Sequence, residues 1–401
     1  MANELTFNQV ATILNAVQQQ ATGQSALVAT DTASFIQAAT TTLKTGYDNV
    51  YKAISAVLGR TIFSIRPYSA KLRGMEISDT MFRLHTRKLQ VSDAEFEDND
   101  TIKWPVGYDE TETPPEGTGE SVDQQIIKKA KILQTNFYGM NTYQDHYTIF
   151  DEQLEIAFSS PDELARFWTM IITNIDDRFE QSRENCARAI LANMIGTLSA
   201  LNESGRIVHL LTEYNALTGL SLTASTMYQP TNYVPFIRWV YGRMAAVSSK
   251  MTERSNVFQT NLTGHVINRH TPVERQRLFV YAPEEMQISA NVLSTTYNER
   301  FLRMAAHESV NFWQSIQSPD SVNITPGYIG ANGAAVTGAA QNVSNVFGLL
   351  MDEEAGGYTR TRSTIKPAPY NARGDYQNFW LKEYNKMYQD NTEKIVLFLL
   401  D

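Results

Sequence analysis

Ser160-Pro161-Asp162-Glu163-Leu164-Ala165-Arg166-Phe167-Trp168 opens the stretch around which the rest of the chain is organised. Ser160 can cap the free amides of a helix, Pro161 suits a first helical position where no N–H is missed, and Glu163 stands three residues after the cap. Apolar residues then recur at Leu164, Phe167, Trp168, Ile171, Ile175, Phe179, Cys186, Ala189, Ile190 and Met194, at spacings of three, four or seven. This is one stripe of a helix with 3.6 residues per turn. Arg166, Arg178, Arg183 and Arg188 line its other faces. Unbroken to about Leu198, the helix is on the order of 55 Å long at ~1.5 Å per residue. With only one apolar side, it is expected to lie along a sheet or across the back of a lobe.

The chain has 401 residues, too many for one compact core and suited to two or three lobes. Upstream of the long helix, Phe7, Val10, Ile13, Leu14 and Val17 predict a short amphipathic helix over 7–20. A longer one is predicted from a cap at Asp31 or Thr32 through Phe35, Ile36, Ala39, Leu43, Tyr47, Val50, Tyr51, Ile54, Val57 and Leu58, with Gly59 as its C-terminal cap. A Gln/Thr/Ser/Ala-rich stretch separates the two. Such a segment fits an arm that packs on something else, or a helical cap on its own domain.

Residues 81–145 read as a long hairpin. A strand-like run, Met81 to Val91, carries Arg83, His85, Arg87 and Lys88, and a second, Ile126 to Tyr143, carries Lys128, Lys129 and Lys131. Between them lie Glu97, Asp98, Asp100, Asp109, Glu110 and Glu112 among other acids, Pro114-Pro115 and two glycines, offset by Lys103 alone. Basic legs and an acidic, turn-rich tip follow. A stretch of this length without regular structure is uncommon in a compact domain unless it has a function. A loop lying on a neighbouring molecule would explain it.

Downstream, residues 210–350 suggest a mixed α/β lobe. Phe236, Ile237, Trp239, Val240, Met244 and Val247 mark a helix from Val234 to about Met251. A strand, Arg277 to Tyr281, meets a helix that starts at Pro283-Glu284-Glu285-Met286. Gly327, Gly330, Gly333 and Gly338 punctuate an Ala-rich segment expected to be a flexible surface loop. Two long strands, Tyr376 to Met387 and Glu393 to Leu400, close the chain across a polar Asp390-Asn391 turn.

Composition excludes several classes of function. The formal net charge of −9 leaves no dominant Lys/Arg footprint for tight binding to nucleic-acid phosphates. A single cysteine, Cys186, rules out an internal disulfide framework and a multi-Cys metal cluster; in its helical pattern it reads as a small hydrophobe. Met1-Ala2-Asn3-Glu4-Leu5 lacks a signal peptide's basic and apolar regions, and the longest apolar run, Ile395 to Leu400, is far below the ~20 residues of a membrane span. The expectation is a protein made and used in a cytosol or in something assembled there, with no membrane partner.

Searches for chemistry return little. Gly333-Ala334-Ala335-Val336-Thr337-Gly338 has the spacing of a nucleotide loop, but Ala339-Ala340 replace its Lys-Ser/Thr. None of the six histidines forms a His-Glu-x-x-His pair, and His265 and His270 are five apart. Asp98-Asn99-Asp100 begins like a calcium loop without its glycine or distal Glu. No Gly-x-Ser-x-Gly elbow exists. The carboxylates of 93–123 suggest a solvated acidic loop, not the shaped, partly dry pocket that catalytic acids need. No catalytic, cofactor or metal residue is assigned.

The ending Pro369-Tyr370-Asn371-Ala372-Arg373-Gly374-Asp375-Tyr376-Gln377-Asn378-Phe379-Trp380 resembles the Asn-x-Arg-Gly-x-Tyr-x-x-Trp ending of major capsid proteins from short-tailed bacteriophages. Leu278-Phe279-Val280-Tyr281-Ala282-Pro283-Glu284 is similar to the strand-then-Pro element of that family's axial lobe. The resemblance implies an α+β fold of the Hong Kong 97 (HK97-like) type. Its parts would be an N-terminal arm (1–75), an extended E-loop hairpin (76–145), a peripheral P-domain with the spine helix (146–210), an axial A-domain (211–345) and a return to the P-domain in C-terminal strands (346–401). It further implies pentamers and hexamers of an icosahedral or prolate shell enclosing double-stranded DNA, contacted non-specifically. A portal and a separate scaffolding protein are the implied partners, and a virion assembled in the bacterial host cytoplasm the implied location. The Hong Kong 97 phage cross-links its subunits covalently, and no residue here is assigned that chemistry.

In such a shell Arg83, Arg87, Lys88, Lys128, Lys129 and Lys131 would meet acids such as Glu97, Asp98, Asp100, Asp109, Glu110 and Glu112 on other chains, setting register more than affinity. Asn371, Arg373 and Gly374 form a structural turn, with Arg373 fixing it by hydrogen bonding. Two alternatives stand beside this reading. An encapsulin-type bacterial compartment would enclose cargo enzymes instead of DNA. A hydrolase would need carboxylates of the acidic loop converging in a pocket.

Overall fold

The computed structural model describes residues 7–23, 28–58, 70–77, 86–92, 132–137, 140–291 and 306–401. Its axis is the long helix, Pro161–Leu201. Ser160 Oγ accepts the Glu163 N–H at 3.2 Å, and Asp162 and Glu163 in the first turn oppose the helix dipole. At the other end Asn202 turns left-handed (φ 43°) and returns its N–H to Leu198 O at 2.9 Å. The helix therefore runs three residues past the expected end.

Its two halves serve different cores. Leu164, Trp168 and Ile171 pack against helices Phe7–Thr22, Thr32–Leu43, Tyr47–Leu58 and Asp151–Ala157 in one cluster. Cys186, Ile190, Met194 and Leu198 enter a second cluster formed with strands. Here the one-sided expectation fails. Ala187, Leu191, Ala192 and Ile195 are buried as well, because strands approach this half from more than one direction and its small alanines admit them.

The N-terminal helices pack on their own chain. Asp31 caps the second through a reciprocal bond with Ser34. Expected as one helix to Leu58, this segment is two, parted at Gly46 (φ 101°). Thr40, Thr41 and Thr42 turn their hydroxyls onto carbonyls four residues back, a competing bond that weakens a helix end. The apolar spacing stays in phase across the break, which hid it. The proposed cap Gly59 lies outside the described residues.

A five-stranded sheet, in the order Ile207–His209, Ile395–Leu399, Val346–Asp352, Gln276–Tyr281, Ala306–Val310, separates the second core from a third. Its outer pairs are parallel and its inner pairs antiparallel. Phe279, Leu349 and Leu397 face the long helix, while Leu278, Leu350 and Phe398 face helices Leu210–Thr218, Pro230–Met251 and Ala282–Asn291. With both faces covered, its central strands are continuous apolar runs.

A second, antiparallel sheet has the order Gly356–Pro367, Tyr376–Gln389, Met140–Phe150. The two terminal strands thus belong to different sheets and form no hairpin. The expected polar turn Asp390-Asn391 is buried, and so are Thr392, Glu393 and Lys394, the last two expected to begin the terminal strand, which starts at Ile395. The glycine-rich segment is also more ordered than a flexible loop. Gly327–Ile329 pairs with Ala335–Thr337, and Gly333 (φ 77°) closes the turn.

Candidate assembly surface

The hairpin of residues 81–145 is seen at its base, where Thr86–Val91 pairs antiparallel with Ile132–Phe137. The strand Met140–Phe150 belongs to the three-stranded sheet, so the second leg is shorter than the expected run to Tyr143. Strand alternation gives this ribbon two faces. Arg87, Leu89, Val91, Ile132 and Gln134 point outward. Leu89, Val91 and Ile132 are 56%, 57% and 65% exposed, and Val91 lies directly opposite Ile132. Val266, 52% exposed, is tied to the ribbon through its backbone, which exchanges bonds with Ser92 Oγ at 3.0 and 3.1 Å. Among the described residues nothing covers this apolar ribbon face.

The other face is turned inward and carries Lys88 and Gln90 beside Leu133 and Phe137. Lys88 Nζ is 3.1 Å from Asp390 Oδ2, 3.7 Å from Glu354 Oε2, and bonded to Glu393 Oε1. Arg269 bonds Glu393 too, and reaches Gln90 Oε1 at 2.8 Å and Thr392 Oγ1 at 3.1 Å. Burial alone would lower the Lys88 pKa, but the charges of Asp390 and Glu393 outweigh it and hold the amine above its usual range. Burial pushes the Glu393 carboxyl up.

The candidate residues divide accordingly. Arg87 is exposed and available to another chain. Lys88 is engaged with acids of its own chain. Arg83, Glu97, Asp98, Asp100, Asp109, Glu110, Glu112, Lys128, Lys129 and Lys131 lie outside the described residues. Attention to charge missed the outward apolar trio, although the alternation Arg87-Lys88-Leu89-Gln90-Val91 carries its signal. Asp390 was missed because it stands in the expected polar turn, and Glu393 because it stands as the first residue of the expected terminal strand.

The motif near the C-terminus forms a tight turn docked on the body. Tyr370 stacks on Tyr51 with ring centres 6.1 Å apart, and both hydroxyls donate to Asp151, at 2.6 and 2.5 Å. Asn371 Oδ1 accepts the Arg373 N–H at 3.1 Å, and the Gly374 N–H reaches Asn371 O at 3.2 Å. A Cβ on Gly374 would stand 2.5 Å from the Tyr376 ring, so any other residue there would have to push that ring aside. Arg373 thus holds the turn through its backbone, while its side chain is exposed.

Chemistry finds no foothold in this arrangement. Among the described residues no group of three or more His, Cys, Asp or Glu side chains is placed to hold a metal, and no helix is long and apolar enough to cross a membrane. Cys186 is buried with its thiol pKa pushed up, which disfavours the reactive thiolate.

The fold has counterparts among phage shells. A chain in the capsid structure of Staphylococcus phage Andhra superimposes with a TM-score of 0.54 at 8% identity, over 85% of this chain and 87% of that one. A chain from the structure of head fiber and inner core protein gp22 of native bacteriophage P68 gives 0.50 at 7% identity, with the same coverage. At such identities the likeness speaks for the fold alone. No curated protein sequence matches the chain. The family model for Phi29-like phage major capsid proteins, however, matches residues 14–399, nearly the whole chain. That match favours neither the encapsulin-type compartment nor the hydrolase. The chain belongs to the Phi29-like phage major capsid protein family: it is a structural subunit of a phage capsid with an HK97-like α+β fold, and not an enzyme.

Proposed function

We propose that this subunit builds pentamers and hexamers of an icosahedral or prolate shell around double-stranded DNA, with the outward face of the hairpin as a contact between subunits. The observation that carries the contact is the exposed trio Leu89, Val91 and Ile132 on a ribbon whose other face is engaged by its own chain. A two-stranded ribbon is marginal alone, and covering this face on a neighbour would remove apolar surface from water. Arg87 beside the trio supplies charge that selects register more than affinity.

In this reading residues 1–75 form the N-terminal region, 76–145 the E-loop hairpin, 146–210 the P-domain with its spine helix, 211–345 the A-domain, and 346–401 the return to the P-domain. The N-terminal helices are arm-like in order but pack on the spine helix of their own chain. The acidic balance of the chain, net −9, favours non-specific contact with packaged DNA over tight binding. A portal, a separate scaffolding protein and assembly in the host cytoplasm complete the proposal.

The test is negative-stain microscopy and sedimentation of the expressed protein, wild type against Val91→Asp and Ile132→Asp. Closed shells from the wild type, and folded but unassembled subunits from the variants, are expected. Normal shells from both variants would remove the hairpin face from the assembly contacts.

A further inference from the structure

Five consecutive polar residues, Asp390-Asn391-Thr392-Glu393-Lys394, are buried where the chain passes from one sheet to the other. Each is committed to a different element. The Asp390 N–H donates to Ala355 O at 2.6 Å, and its Oδ1 accepts the Thr392 N–H at 3.0 Å. Asn391 exchanges two bonds of 2.8 Å with the backbone of Ile329, and its carbonyl accepts from Arg206 at 3.2 Å. Lys394 Nζ donates to Glu253 O at 2.7 Å and Ser255 Oγ at 3.1 Å. These bonds hold the junction rigidly to both sheets and to the end of helix Pro230–Met251. Two carboxylates remain pointing toward the hairpin, Asp390 Oδ2 and Glu393 Oε1, with Glu354 beside them.

The ribbon's inward face offers Lys88, Gln90 and Ser92, which are polar, with half-buried Leu133 opposite Gln90 and Phe137, whose ring lies 5.4 Å from that of Tyr388. A buried cation between buried carboxylates is costly to leave unpaired, so attachment is strong while the geometry is kept and lost abruptly when it is not. We infer that Lys88 is a latch, seated in a receptor made by Asp390 and Glu393, which sets where the hairpin lies on the body and lets it detach as one unit without unfolding either sheet. Arg269 is part of the receptor: it shares Glu393 with Lys88 and keeps the carboxylate in place. The latch gives the shell subunit a fixed hairpin position before any neighbour is present. Its consequence for assembly rests on the hairpin contact proposed above, whereas its existence is readable in the isolated subunit.

Hydrogen–deuterium exchange with mass spectrometry tests it on the full-length chain, comparing wild type and Lys88→Met in the same assembly state. Exchange in peptides covering 86–92 and 132–137 should rise at least tenfold in the variant, with 346–352 and 395–399 unchanged. Unchanged exchange in the ribbon would overturn the latch. An equal rise in the ribbon and the central strands would overturn it too, because Lys88 would then belong to the cooperative core. Failure of the shell reading shows separately, as absence of particles from the wild type.

Discussion

Replacing Arg183 by Leu should destabilise the subunit strongly, and replacing its partner as well should restore most of the loss. Arg183 lies on the long helix above the three-stranded sheet. Its Nε stands 3.2 Å from Glu383 Oε1 and its Nη2 2.9 Å from Oε2, a two-pronged contact, and Nη1 bonds Glu180. The Glu383 side chain is 1% exposed. In Arg183→Leu that carboxylate stays buried without its guanidinium, while Glu180 keeps Arg73, whose Nη2 stands 3.3 Å from Glu180 Oε2. Removing one partner of a buried pair costs about 3–5 kcal/mol. With an unfolding entropy of ~2.1 cal/mol/K per residue, a chain of this size has about 0.8 kcal/mol/K, so the midpoint should fall by about 5 °C. In Arg183→Leu/Glu383→Leu no charge is stranded, and the midpoint should return to within about 1–2 °C of wild type. Scanning fluorimetry and urea titration at one protein concentration read both variants. A single variant within about 1 °C of wild type, or a double variant no better than the single, would refute the account.

Three other outcomes follow from the structure. Ser160→Ala removes the cap of the long helix and should cost about 1 kcal/mol, with Ser160→Asp recovering most of it, both read by urea titration. A Cβ on Gly196 would stand 2.5 Å from Ile324 Cγ2, so Gly196→Ala should cost about 1–3 kcal/mol, and Gly196→Ala/Ile324→Leu, which removes the branch at Cβ, less. Lys88 has a folded pKa above its ordinary 10.5, so its contribution is complete below that value and is lost as pH rises through the folded one. Exchange in 86–92, corrected for intrinsic rates, should therefore accelerate in alkali above about pH 10.5, with no such step in Lys88→Met.

How far each element was legible depended on how local its causes are. The long helix was readable at its start because Ser160, Pro161 and Glu163 act within one turn. The burial of most positions beyond Cys186 was not, since Ala187 and Ala192 are silent until strands are known to press on them, while Ala189 of the expected stripe is exposed. The continuity of 32–58 was overread because phase survives the Gly46 break. The interface candidates were chosen by charge. Of the basic pair, Arg87 faces out and Lys88 faces in, and one residue of register separates a surface cation from a buried one.

The sequence by itself determined the class of the molecule: the capped helix, the apolar strand runs, the tight Asn371–Gly374 turn and the lack of catalytic motifs all follow from contacts within a few residues. Only the tertiary structure decided that Tyr376–Gln389 and Ile395–Leu399 enter different sheets, and that Asp390 to Lys394 are therefore interior. Polar residues between two strands look alike whether they turn in water or cross a core. The difference lies in distant partners such as Lys88, Arg206, Arg269 and Ile329, which satisfy their charges and hydrogen bonds once the chain has closed on itself.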